Sequence, residues 1–307
     1  MRPGICAENM QKRVLLVLFS LFLQPFALAE TAESDVTREA QGGHAILLEQ
    51  YTATWCDSCA TIDPWISDFV DSHSSRVVRV ALHPDDHDPF GSPLTTQRIG
   101  LKQAEHQLQL PSFWFDGQGE LQGAVSQSLL ANELRSAEIE RSDWIGMQVV
   151  WDTWVYDNAN DSHTISIYLD EALPVNSTLT VFRIQSLEMT SEIAYNGIDV
   201  HHDVATQMIT FDENGHLIQS FEGTHGWDII ELNQTEINSV PAIALQTQGK
   251  VDGFVTIIEE NGAVRSVVGI YDGEIPRNTE IDQKMGVFWL LLALVISSAL
   301  VSRGKPQ

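Results

Sequence analysis

Cysteine is scarce in this chain. The 307 residues contain three, Cys6, Cys56 and Cys59. Basic side chains are also few, 17 against 42 acidic ones, giving a net charge of −25. So negative a chain repels phosphate backbones, which excludes nucleic acid as a partner. The acidity itself reads as solubility or a salty habitat. There is no internal repeat. Long apolar runs are rare, and the one over residues 14–23 is too short to span a bilayer. Hydrophobic residues still make up 43% of the chain, which suffices for packed cores and excludes a disordered chain. The length predicts two domains.

Residues 1–29 carry the marks of a signal peptide. Lys12 and Arg13 precede the apolar run, and Ala27-Leu28-Ala29 has the small-x-small form of a cleavage site. Cleavage after Ala29 removes Cys6 and leaves Cys56 and Cys59 in an oxidising compartment. A bridge across two residues closes little loop entropy, so a structural staple there stabilises little and redox use is the stronger expectation. Residues 30–43 are polar and acidic and end in glycine, and they read as a flexible tether.

The chain is organised around Thr52-Ala53-Thr54-Trp55-Cys56-Asp57-Ser58-Cys59. An apolar run, Ala45-Ile46-Leu47-Leu48, leads in, and a helical pattern (Pro64, Trp65, Ile66, Phe69, Val70) leads out. At such a strand-to-helix junction the first cysteine meets free backbone N–H groups and the positive end of the helix dipole, which favour its thiolate. Cys59, one turn later, is placed to close a disulfide or release a mixed-disulfide partner.

These residues resemble the thioredoxin superfamily: Trp55 directly before Cys56 matches its W-C-x-x-C. Leu110-Pro111-Ser112 is similar to its cis-proline segment, followed by a strand, a Gly-containing turn at Asp116-Gly117, a second strand and a helix over 128–140. The resemblance implies an α/β thioredoxin-like domain over 44–143. It also implies that Pro111 holds a client's extended chain beside the cysteines and that Trp55 shields them. The superfamily often places a carboxylate six positions before the first cysteine. Gln50 stands there, with Glu49 beside it on the opposite strand face. With Gln50 inward, the proton of Cys59 falls to Glu49, the His83 loop or water.

After a strand over 76–82, the loop beginning His83-Pro84-Asp85 is dense in turn formers. It resembles a secreted thioredoxin-like family of unknown function at His83, Asp85, Asp88-Pro89-Phe90, Ser92, Thr96 and Arg98. Two readings stay open: an acid–base helper or metal contact near Cys56, or a turn held by Asx and proline caps. A helix is predicted over 95–108.

From Met147 the pattern is β, with strands predicted at 148–156, 164–169, 178–185, 202–211, 227–232, 242–246, 251–258 and 264–271. Short strands with regular turns and almost no helix predict an all-β antiparallel sandwich over 144–271. This half resembles the C-terminal half of bacterial outer-membrane lipoproteins whose N-terminal half is thioredoxin-like. His201, His202, Asp203, His216 and His225 invite a metal reading. Adjacent histidines on a strand point apart, however, so surface or hydrogen-bonded histidines are expected and no metal.

Residues 272–284 read as a stalk, 285–302 as a transmembrane helix and 303–307 as a cytoplasmic tail. The uncharged run from Met285 extends about 26 Å as a helix, followed by Arg303 and Lys305. A cleaved sorting tail is the alternative. The expected function is that of a membrane-anchored, extracytoplasmic thiol–disulfide oxidoreductase. Cys56 and Cys59 form its redox-active pair, assisted by Pro111 and Trp55. Its partners are cysteine-containing proteins, and no cofactor is needed because the sulfurs carry the electrons. A surface scaffold with a static disulfide and a partner-binding sandwich is the alternative. A weaker one is metal delivery through Cys56, Cys59 and His83.

Overall fold

Apolar side chains at alternate positions, and two strands apolar at nearly every position, make most of the chain β-strand. The computed structural model describes residues 36–273 except 74, 85–86, 103–108, 142, 156–160, 191–195, 223–225 and 233–241, with 231–232 described by backbone only. The first half runs β1 (Val36–Gly42), β2 (Ile46–Tyr51), α1 (Asp57–Ala60), α2 (Asp63–Ser72), β3 (Val77–Leu82), α3 (Pro93–Gly100), β4 (Ser112–Phe115), β5 (Gln118–Gln122) and α4 (Gln127–Glu140). The second is all strand among the described residues: β6 (Met147–Trp154), β7 (Ser162–Leu169), β8 (Ser177–Glu188), β9 (Val200–Asp212), β10 (Leu217–Phe221), β11 (Asp228–Leu232), β12 (Ile243–Gln248), β13 (Gly253–Glu260) and β14 (Ala263–Tyr271).

These strands form two sheets. One has the order β1-β6-β7-β12-β11; the other runs β14-β13-β8-β9-β3-β2-β4-β5, with β10 added on β9. The expected α/β thioredoxin-like domain followed by an all-β sandwich and a transmembrane helix is thereby corrected. The described molecule is mostly β, and strands from both halves of the sequence share one nine-stranded sheet. The physical reason lies at β3. It pairs with β2 in parallel on one side, and all six of its residues are buried. Its other edge takes β9, also parallel, with Ala81 opposite Val204. Residues 36–42, expected in the tether, are a strand because each pairs with β6, Val36 opposite Thr153 through Gly42 opposite Met147. Among the described residues no helix is long and apolar enough to cross a membrane. The signal-peptide, transmembrane and tail expectations lie outside the described residues.

Strand alternation sorts the core. Leu179 and Val181 of β8 pack with Trp151, Ile165 and Leu245 of the five-stranded sheet, whereas Phe182 and Ile184 face the opposite way. On that second face Leu47 of β2 meets Leu94 and Ile99 of α3. Ile46 and Leu48 point away from it, onto α2 and α4.

A buried ion network fixes α3 against both halves. Glu49 of β2 is fully buried and accepts from Arg98 Nε; Lys102 Nζ lies 2.5 Å from its other oxygen. The same guanidinium makes a bidentate pair with Glu259 of β13, at 2.7 and 2.8 Å. Burial alone would raise the Glu49 carboxyl, but the Arg98 and Lys102 cations outweigh it and hold it at about 2. Arg98→Ala would leave Glu49 charged and dry, and is expected to destabilise the fold by about 3–5 kcal/mol in chemical denaturation. A loss below about 1 kcal/mol would show the network to be dispensable.

Candidate functional site

The C-x-x-C segment leaves β2 where the strand loses its partners and turns into α1. Cys56 caps that short helix, and its Sγ accepts the backbone N–H of Cys59 at 3.1 Å. The two sulfurs form a disulfide, with Cα atoms 5.2 Å apart. The expected redox-active pair is therefore corrected to what the described structure holds, a closed Cys56–Cys59 bridge. Cys56 is 7% exposed and Cys59 0%. Ala53 and Leu110 pack on the bridge. The Leu110–Pro111 peptide is cis, and Leu110 is the member of that pair that packs on the bridge. Trp55 stands out into solvent at 42% exposure beside Cys56, so the apolar cover over the sulfurs comes from Leu110 instead.

The backbone before Cys56 is clamped from two directions. Asp88 Oδ2 accepts from Thr54 N at 2.7 Å and from Thr54 Oγ1 at 3.1 Å. Asn196, in the β8–β9 connection, donates its N–H to Thr54 O and its side-chain amide to Ala53 O, both at 3.2 Å. The His83 loop thus does reach the cysteine segment, through Asp88. It also has the Asx character of the competing reading, since Asp88 Oδ1 accepts from Phe90 N at 2.9 Å. Burial would raise the Asp88 carboxyl, but His83 and the two backbone donors outweigh that and keep it below the ordinary carboxylate value.

Asp63, a residue not singled out from the sequence, holds the ground beneath this segment. Gln50 Nε2 donates to its Oδ1 at 2.6 Å and Thr52 Oγ1 to its Oδ2 at 2.7 Å. Burial pushes this carboxyl up despite those donors and despite Arg79 and His83. Gln50 is accordingly the residue on the α2 side, while Glu49 faces α3 and is committed to Arg98. The only sequence signal was Asp-Pro at the start of a predicted helix.

His83 and His201 meet edge to face, ring centres 5.1 Å apart, with Phe90 against both. His83 Nδ1 lies 3.2 Å from Asp88 Oδ1. Of the two expectations for it, surface or hydrogen-bonded, the structure excludes the first: His201 is 4% exposed. Next to it Asp203 adopts a left-handed φ of 57° within β9 and pairs with Arg79 at 2.8 Å, both buried. Among the described residues no three His, Cys, Asp or Glu side chains are grouped to hold a metal ion, and Cys56, Cys59 and His83 are not brought together as ligands.

No protein-family model matches the chain. No curated protein matches it. Among solved structures it is similar to HBP35 of Porphyromonas gingivalis, with a TM-score of 0.53 and 15% identity over 78% of each chain. At that identity the likeness is one of fold alone.

Burial, with the charge of His83 as a smaller cause, lowers the pKa of His201 to about 4. The fold therefore keeps His201 neutral. That stability is present in full above an ordinary histidine pKa of about 6.5 and is lost as pH falls towards 4. Between pH 7.5 and 4.5 the wild type is expected to lose roughly 2–3 kcal/mol more than His201→Phe, measured by denaturant unfolding. Parallel losses in the two proteins would contradict this.

Proposed function

We propose that the chain is an extracytoplasmic thiol–disulfide oxidoreductase, anchored by residues 285–302, whose partners are cysteine-containing proteins. One observation carries the reading: Leu110, joined to cis-Pro111, packs on a disulfide of which Cys56 alone keeps some exposure. A partner thiolate attacks Cys56 Sγ. A new intermolecular disulfide forms, the Cys56–Cys59 bond breaks, and Cys59 leaves as a thiolate that takes up a proton. A second partner thiol, giving up its proton, then displaces Cys56. The partner is oxidised by two electrons and the pair reduced, and the reverse sequence oxidises the pair. Once reduced, Cys56 is the better nucleophile, because the Cys59 N–H that it accepts favours its anion.

The competing reading is a binding scaffold with a static bridge, favoured by the full burial of Cys59. Trapping separates the two. Cys59→Ser, expressed in the export compartment, is expected to accumulate mixed disulfides with partner proteins. These should dissolve on reduction and be missing from a variant that also carries Cys56→Ser. A clean monomer on non-reducing gels would favour the scaffold.

A further inference from the structure

A cleft of about 250 Å³ opens where the β4–β5 turn, the end of α4 and the start of β14 converge, so both halves of the sequence build it. It lies at the opposite end of β2 and β4 from the cysteines, beside Leu47, whose carbonyl accepts from Asp116 N at 2.9 Å. Its floor is apolar: Phe115, Ala137 and Val264 are all buried. One wall is the Asp116–Arg141 pair. Asp116 accepts from Leu47 N at 2.8 Å and takes the Arg141 guanidinium on both oxygens. Arg141 Nη1 also donates to the carbonyls of Gly43 and Ala45. That pair is committed to the fold.

The other charges bordering the cleft are not committed. Arg265 reaches Glu260 only at 3.3 Å and Asp143 at 3.8 Å, against the 2.7 and 2.8 Å contacts that Arg98 makes with Glu259. Its buried Nε has no hydrogen-bond partner among the described residues, which calls for one. Glu140 is exposed and has no partner among the described residues. Asp143 is exposed too, and besides Arg265 it holds the Trp144 N–H. One loosely held cation and two available anions thus stand around an apolar floor.

This arrangement selects among ligands. A polyanion meets three carboxylates, Asp116, Glu140 and Asp143, against two guanidiniums of which one is already paired. A wholly apolar ligand would strip water from Arg265 and Glu140 and replace none of it. A small molecule with a carboxylate, an ammonium and an apolar body satisfies every group. We propose that the cleft binds a free α-amino acid with an apolar side chain. Its carboxylate lies on Arg265, its ammonium on Glu140 and Asp143, and its side chain on Phe115 and Val264. A cavity of about 150 Å³ holds benzene, so this cleft has room for roughly ten non-hydrogen atoms, the size of leucine. The proposal is independent of the oxidoreductase reading, because neither cysteine borders the cleft.

The test is isothermal titration calorimetry of the full chain at neutral pH with three probes. These are L-leucine, N-acetyl-L-leucine, which lacks the ammonium, and L-leucinamide, which lacks the carboxylate. L-leucine is expected to bind, and each derivative about tenfold or more weakly than it, the worth of one charge-assisted hydrogen bond. Arg265→Gln should remove the preference for leucine over leucinamide, and Glu140→Gln should reduce the preference over N-acetyl-leucine, both with unchanged circular dichroism. Cys56→Ser should leave leucine binding as it was. No heat of binding up to about 10 mM leucine, where even a millimolar site would be largely filled, would overturn the proposal. Equal binding of all three probes, or preferences that survive in both charge variants, would overturn it as well.

Discussion

The Arg79–Asp203 ion pair is the point on which the arrangement turns. Arg79 lies on β3, in the first half of the sequence, and Asp203 on β9, in the second; both are buried. Arg79 also donates to Ser67 of α2 and to the carbonyl of His202. An unpaired guanidinium or carboxylate at this depth would cost several kcal/mol, so β9 is held against β3 and α2. Asp203 accepts an unfavourable left-handed backbone to make the contact. The seating of His201 against His83, and of the β8–β9 connection against the cysteine segment, follows from this attachment.

The segment that carries the disulfide is therefore served by both halves. Asp88, Leu110 and Asp63 come from the first, and Asn196 from the second. Thr54 shows the consequence in a single peptide unit: its N–H is given to Asp88 and its carbonyl accepts from Asn196. The segment entering Cys56 is fixed before any partner arrives. Preorganisation of this kind lowers what must be ordered when a mixed disulfide forms.

Much of the secondary structure could be read from alternation and turn chemistry. The eight strands predicted after Met147 all exist, with ends displaced by a few residues. Asp116-Gly117 and Asn261-Gly262 both adopt the left-handed pairs that two-residue hairpin turns require. Two strands escaped. β10 is too exposed to alternate clearly, with Leu217 and Ile218 about half in solvent. β1 is a polar stretch whose strand character comes from pairing with β6, not from its own side chains. The joining of β3 to β9 left no local mark either, since 123 residues of sequence separate Ala81 from Val204, the one pair in ladder register. The cysteines, Pro111 and Trp55 were found because their spacing is local. Asp63 was not, and His201 was named only in a metal reading that was set aside, because their surroundings are assembled from distant segments.

The stability of the bridge itself is the most direct test. Equilibrating the full chain in glutathione redox buffers, and counting free thiols, gives the reduction potential of Cys56–Cys59. An exchanging pair should lie between roughly −120 and −270 mV, where known dithiol oxidoreductases fall. A value below about −300 mV, the range of structural disulfides, would contradict exchange and leave the bridge a fixed part of the fold.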